Sequence, residues 1–323
     1  MHKTKVILSY LSLFSILVFA YSYSNESAIS KKGKSTSGNI TEQSFFKKII
    51  FFNIKTLKTI KIKGSELLIQ DNGNELMFLK PDGFLKDDKK IFFNADTGVF
   101  HKDKNNFNLK TNAILKMKNS ILKSNIINYL SDKNLITAKN KVNFTRKGPL
   151  LDGTLNIKAD YLKSYIDSED LYLSGRVRGS LKRKRLYQEG ISFNSSQLKY
   201  IGKKGIGILT NNVILKRATW TASARNGKIF LNNHSKRLKY YQLNDDVKLV
   251  EKVNKKNGEE SFERRAFSER LTGFVMDQKI VLFGEPKLYQ QGDLIKGTKI
   301  TLREDKQLIE VDNTNSDFDL RQQ

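Results

Sequence analysis

Two short phrases, LYLSGRV at Leu171–Val177 and IVLFGEP at Ile280–Pro286, place an apolar residue, a second one two positions on, and a glycine two positions after that. Side chains two apart share a face only in extended chain, so each phrase reads as one face of a β-strand. Around the first phrase, Leu171, Leu173, Gly175, Val177, Gly179 and Leu181 alternate with Tyr172, Ser174, Arg176, Arg178, Ser180 and Lys182. That is one apolar or small face and one polar face, the pattern of a half-buried strand.

The phrase belongs to a longer repeat. Taking Ala95, Ser124, Ala159, Ser195 and Ser268 as origins, Phe107, Ile136, Leu171, Gly207 and Ile280 follow twelve residues later. Leu109, Ala138, Leu173, Leu209 and Leu282 follow fourteen later, and Ala113, Val142, Val177, Val213 and Pro286 eighteen later. Between them, at offset sixteen, stand Thr111, Asn140, Gly175, Asn211 and Gly284. Even offsets hold all these positions on one face. The Gly/Asn step suits a bulge or positive-φ kink that bends a strand without filling its inner face. Each unit is a strand, a turn and a longer kinked strand. Ser65–Leu85 reads as a degenerate first copy, Ala222–Val247 as a stretched one, and Gly297–Val311 as a terminal half-copy. So thin a unit must stack on its neighbours to bury its face. A parallel β-helix or solenoid and a long antiparallel jelly roll both satisfy the spacing.

The N-terminus supplies an address. Lys3 and Lys5 precede an 18-residue apolar run, Val6–Tyr23, the pattern of a secretory signal or a single membrane anchor. Lysines ahead of the run keep that end cytoplasmic and export the rest. The expected organisation is an anchor or signal over 1–24 and a polar tether over 25–45, followed by β-structure from 46 on. The 58 Lys+Arg against 33 Asp+Glu give a net charge of +25, which favours anionic partners such as phosphate groups. A Lys- and Asn-rich genome would produce the same excess.

Catalytic constellations are missing. There is no cysteine, hence no disulfide, thiolate zinc site or cysteine nucleophile. His101 and His234 read as turn residues, and no HxH or HExxH spacing occurs, so no metal or other cofactor is expected. Asp87-Asp88, Asp245-Asp246 and Glu259-Glu260 are adjacent pairs that face opposite sides of a strand, and read as solvated turns. GKKGIG at Gly202–Gly207 lacks phosphate-loop spacing, and no GxSxG elbow exists. KRKR at Lys182–Arg185 reads, after an export signal, as a basic strand end. The chain is expected to be no enzyme and to bind no nucleic acid.

The order of these motifs resembles a known family. Asp160–Leu186, with KADY and DLYLSGRV, and the continuation Ile191–Ala224 are similar to periplasmic proteins of the lipopolysaccharide export bridge, most of all the LptC family. Phe267–Leu302, with its LxG and GDLIKGTKI phrases, looks more like LptA/OstA repeats. The resemblance implies an all-β, V-shaped antiparallel jelly roll after one N-terminal transmembrane helix, with an LptC-like part over 46–254 and an LptA/OstA-like continuation over 255–323. It implies an apolar groove for the acyl chains of lipopolysaccharide. On the repeat face that groove would be lined by Phe107, Leu109, Ala138, Val142, Leu171, Leu173, Val177, Leu209, Val213 and Leu282. Arg176, Arg178, Lys182 and Arg183 would form a basic rim for lipid phosphates. The partners implied are inner-membrane ABC transporter subunits on one side and, by edge-strand stacking, an LptA-like bridge protein or an outer-membrane translocon on the other. The protein is then expected to be a single-pass inner-membrane protein, with the bulk of the chain in the periplasm. The residues alone leave a competitor, a trough filled by its own side chains as an ordinary core.

Overall fold

The computed structural model describes residues 40–44, 49–53, 58–70, 73–86, 90–148, 153–183, 190–232, 238–253, 261–303, 308–313 and 315–317. The expected anchor lies outside them, as do Asp87-Asp88, His234 and Glu259-Glu260. Eight short strands come first: β1 (Ile40–Ser44), β2 (Ile49–Asn53), β3 (Lys58–Lys63), β4 (Glu66–Gln70), β5 (Glu75–Leu79), β6 (Asp82–Lys86), β7 (Lys90–Asn94) and β8 (Thr97–His101). Ten long strands follow: β9 (Asn106–Met117), β10 (Ser120–Leu130), β11 (Leu135–Gly148), β12 (Gly153–Tyr165), β13 (Asp170–Arg183), β14 (Ile191–Ile201), β15 (Ile206–Lys216), β16 (Trp220–Leu231), β17 (Leu238–Val253) and β18 (Phe262–Phe274). Six short ones end the chain: β19 (Lys279–Phe283), β20 (Lys287–Gln290), β21 (Asp293–Lys296), β22 (Lys299–Arg303), β23 (Ile309–Asp312) and β24 (Asn315–Asp317).

Every pairing among the described residues is antiparallel, and the long strands form a meander from β9 to β18. This excludes the parallel β-helix for the described residues and leaves the antiparallel jelly roll. β1, inside the stretch expected to be a tether, borrows its pairing from β4. His101, expected in a turn, closes β8, with Nδ1 3.0 Å from a Glu75 carboxylate oxygen.

A bend crosses the meander at the same place in every second strand. Consecutive positive-φ residues occur at Thr111/Asn112, Asn140/Lys141, Gly175/Arg176, Asn211/Asn212, Asp245/Asp246 and Gly284/Glu285. These are the offset-sixteen positions and their successors, together with the corresponding step of the stretched copy. Two left-handed residues in succession turn the backbone sharply and return it to extended geometry with its parity kept. The intervening strands shift register opposite each bend. The sheet is thereby folded into two arms. Arm A holds β1, β4, β5, β8, one half of each long strand, then β19, β22 and β23. Arm B holds β2, β3, β6, β7, the other halves, then β20, β21 and β24.

The inner faces of the arms pack on each other. Phe93 of arm B stacks on Phe107 of arm A with centroids 5.0 Å apart. Trp220 of arm B lies 5.6 Å from Tyr241 of arm A. One apolar cluster runs from Ile60 to Leu302, and each Leu, Ile, Val or Phe it removes from water contributes about 1.5–3 kcal/mol. At one end β1 and β2, and at the other β23 and β24, pair on one side only among the described residues.

Side chains tie the bend down. Arg176 donates from Nε and from a terminal nitrogen to the Asp160 carboxylate at 3.1 and 3.0 Å. Asn112 donates to Asp96 at 2.8 Å, Arg225 to Asp246 at 2.6 Å and Asn226 to Asp245 at 3.0 Å. The Asp245-Asp246 pair is thus an exposed bend whose carboxylates each meet their own donor. At Gly175, φ is +76° and an added Cβ would sit 2.6 Å from an Asp160 oxygen. Gly175→Val should therefore cost about 1–3 kcal/mol from backbone strain, read as a lowered midpoint in urea unfolding. Thr111 is a β-branched residue at φ +60°, so Thr111→Asn should raise the midpoint instead.

Candidate functional site

The space between the arms is layered by distance from the bend. Where β16, β17, β18 and β20 run side by side in arm B, the row nearest the bend holds Ala224, Val247 and Ser268. The second row holds Ala222, Leu249, Ala266 and Leu288, each buried. In the third, four residues and roughly 13 Å out along the strand, Trp220 pairs with Glu251, Glu251 with Arg264 and Arg264 with Gln290. The second row is wholly apolar, Ser268 is the one polar residue of the first, and charge enters in the third.

All ten residues expected to line a groove belong to this one buried cluster. Phe107, Leu109, Ala138, Leu171, Leu173, Leu209 and Leu282 come from arm A, and Val142, Val177 and Val213 from arm B beside the bend. Leu173, Val177, Leu209 and Val213 are 0% exposed, so in this state the arms close on them completely. The four residues expected to form a basic rim do not gather in one place. Arg176 stands at the bend, bound to Asp160. That bond holds the Asp160 carboxyl below its ordinary range and raises Arg176. Arg178 and Lys182 are exposed and alternate with buried Val177 and Gly179, which puts them on the outer face of arm B. Arg183 shares the inner parity, but its side chain lies outside the described residues.

Two ion pairs in the seam carry no motif in the sequence. Arg264 Nε donates to Glu251 at 2.6 Å, with the two side chains 2% and 6% exposed. Arg146, inward on arm B, reaches 3.4 Å to Glu169 in the β12–β13 turn at the tip of arm A, so this pair spans the mouth. Beside it, burial raises the Tyr200 hydroxyl above its ordinary pKa. The signal was parity: Arg264 stands four residues before the origin Ser268, and Glu251 four after Val247, both on the inner face. With side chains 30% and 45% exposed, the Arg146–Glu169 pair is a clasp rather than a source of stability. Glu169→Arg should change global stability by less than about 1 kcal/mol. It should nevertheless speed amide exchange at the arm A turns 131–134, 166–169 and 202–205. Among the described residues no three His, Asp or Glu side chains gather into a metal-binding group.

Comparisons with known proteins fall on the same sheet. Residues 192–308 match the family model described as LptA/(LptD N-terminal domain) LPS transport protein. No curated protein sequence matches the chain. Among solved structures, one similar chain is LptH, the LptA homologous periplasmic component of the lipopolysaccharide transport device from Pseudomonas aeruginosa. It has 14% identity and a TM-score of 0.34, over 38% of this chain and 82% of that one. The stretch from β14 through β22 is therefore similar to the LptA/LptD N-terminal domain of lipopolysaccharide transport proteins.

Proposed function

We propose that this chain is an inner-membrane-anchored periplasmic component of the lipopolysaccharide export bridge. It holds acyl chains between its two arms and passes the lipid toward the outer membrane without chemistry of its own. The match over residues 192–308 carries the proposal, because those residues build the later part of the bent, two-armed meander, whose apolar seam is continuous with that of the earlier strands. An acyl chain entering the seam would gain about 0.8 kcal/mol per CH₂ removed from water. The LptC-like order of anchor, tether and jelly roll supports placing the β1/β2 end beside inner-membrane ABC transporter subunits. The β23/β24 edge would then add strand to strand onto an LptA-like bridge protein or an outer-membrane translocon.

One observation favours a second reading, a non-catalytic envelope scaffold: the seam is filled by its own side chains in this state. Photo-crosslinking to lipopolysaccharide separates the two. With probes at Leu173 and Val213 on the inner face and Arg178 on the outer, transport predicts adducts at the first two alone. A folded protein with no adduct at any position is the scaffold's result and would sink the transport reading.

A further inference from the structure

We propose that Arg264, with Gln290 beside it, is a docking point inside the mouth for the phosphorylated sugar headgroup of the carried amphiphile, with Glu251 as the resident counter-ion. The inference rests on the transport reading above and names which residues would meet the headgroup.

An ion pair this deeply buried sits on the inner face of arm B, in line with Trp220 on one side and Gln290 on the other. The next row toward the bend is wholly apolar. Gln290 Oε1 is buried without a hydrogen-bond partner, an acceptor waiting for a donor. Glu251 engages Arg264 through Nε, and a guanidinium carries four further N–H donors in a fork that fits a phosphate in two-point contact. An amphiphile whose chains fill the two deep rows places its headgroup at the third. There a phosphate oxygen accepts from Arg264, and a sugar hydroxyl donates to Gln290 Oε1.

Depth is the argument for a ligand over a structural pair. A buried ion pair is weak evidence of stabilisation, since two well-packed apolar residues often serve as well. Outward of it only Val253 and Phe262 remain on the inner face before β17 and β18 end, so the pair lies one row inside the mouth, a polar step that fits the polar end of an amphiphile. The outer-face cations Arg178 and Lys182 cannot do this, because the strand turns them away from the seam.

The test uses the full chain in detergent, with hexaacylated lipid A bearing both phosphates and with the same lipid dephosphorylated. The wild type should bind the phosphorylated form about tenfold or more tightly, the worth of a charge-assisted hydrogen bond. The double variant Glu251→Leu/Arg264→Met should lose that preference while binding the dephosphorylated lipid as before. A double variant that keeps the preference, or a wild type without one, overturns the inference and leaves the transport reading standing. A wild type that binds neither lipid overturns both. Inorganic phosphate alone should not raise the melting temperature; if it protects as well as the lipid does, the site takes free anions and the headgroup assignment is wrong.

Discussion

Arg264→Met alone should lower the unfolding free energy by about 3–5 kcal/mol, because it leaves the Glu251 carboxylate buried without its partner. The carboxylate lies between Trp220 and Arg264 in the cross-strand row, with Leu249 and Val253 buried on either side along β17. Among the described residues no other cation pairs with it. Glu251→Leu alone should cost a similar amount by the same reasoning from the other side. The double variant should recover most of the loss, since two apolar side chains of comparable volume remove both desolvation penalties together. Urea unfolding of the four proteins measures the coupling directly. If the two single losses simply add in the double variant, the pair does not interact as the geometry requires.

Trp220→Ala is the second large change, and its two consequences should have opposite signs. Without lipid it should cost about 3–5 kcal/mol, as the loss of a large buried aromatic does. Trp220 is 2% exposed and holds arm B against Tyr241 of arm A, so the vacated volume opens between the arms. If acyl chains enter the seam, a chain can occupy that volume. Added lipid should then return more stability to the variant than to the wild type, at about 0.8 kcal/mol for each CH₂ newly buried. Thermal melts with and without lipopolysaccharide read this difference. Equal lipid-induced shifts in both proteins would mean that the seam between the arms is a core and nothing more.

Alternation and the offset of sixteen determined, from sequence alone, that the chain is β-structure, that its units repeat, that one parity faces inward, and where each strand bends. Local sterics carry that information: side chains two apart share a face in extended chain, and Gly, Asn and Asp tolerate left-handed geometry where most residues do not. The stretched copy was legible for the same reason, with Asp245 and Asp246 in the slot that Gly175 and Arg176 fill elsewhere. The split of one sheet into two facing arms was a tertiary matter, because the repeat suits a coil as well as a meander until partners are assigned. The charges in the mouth were likewise decided by strand pairing. Arg176, Arg178 and Lys182 crowd together along the chain, yet Arg176 is bound to Asp160 at the bend and Arg178 and Lys182 share the outer face, away from the seam. Arg264 and Glu251 are 13 residues apart and become neighbours only when β17 and β18 pair. Arg146 and Glu169 meet only when the bend brings the two arms face to face.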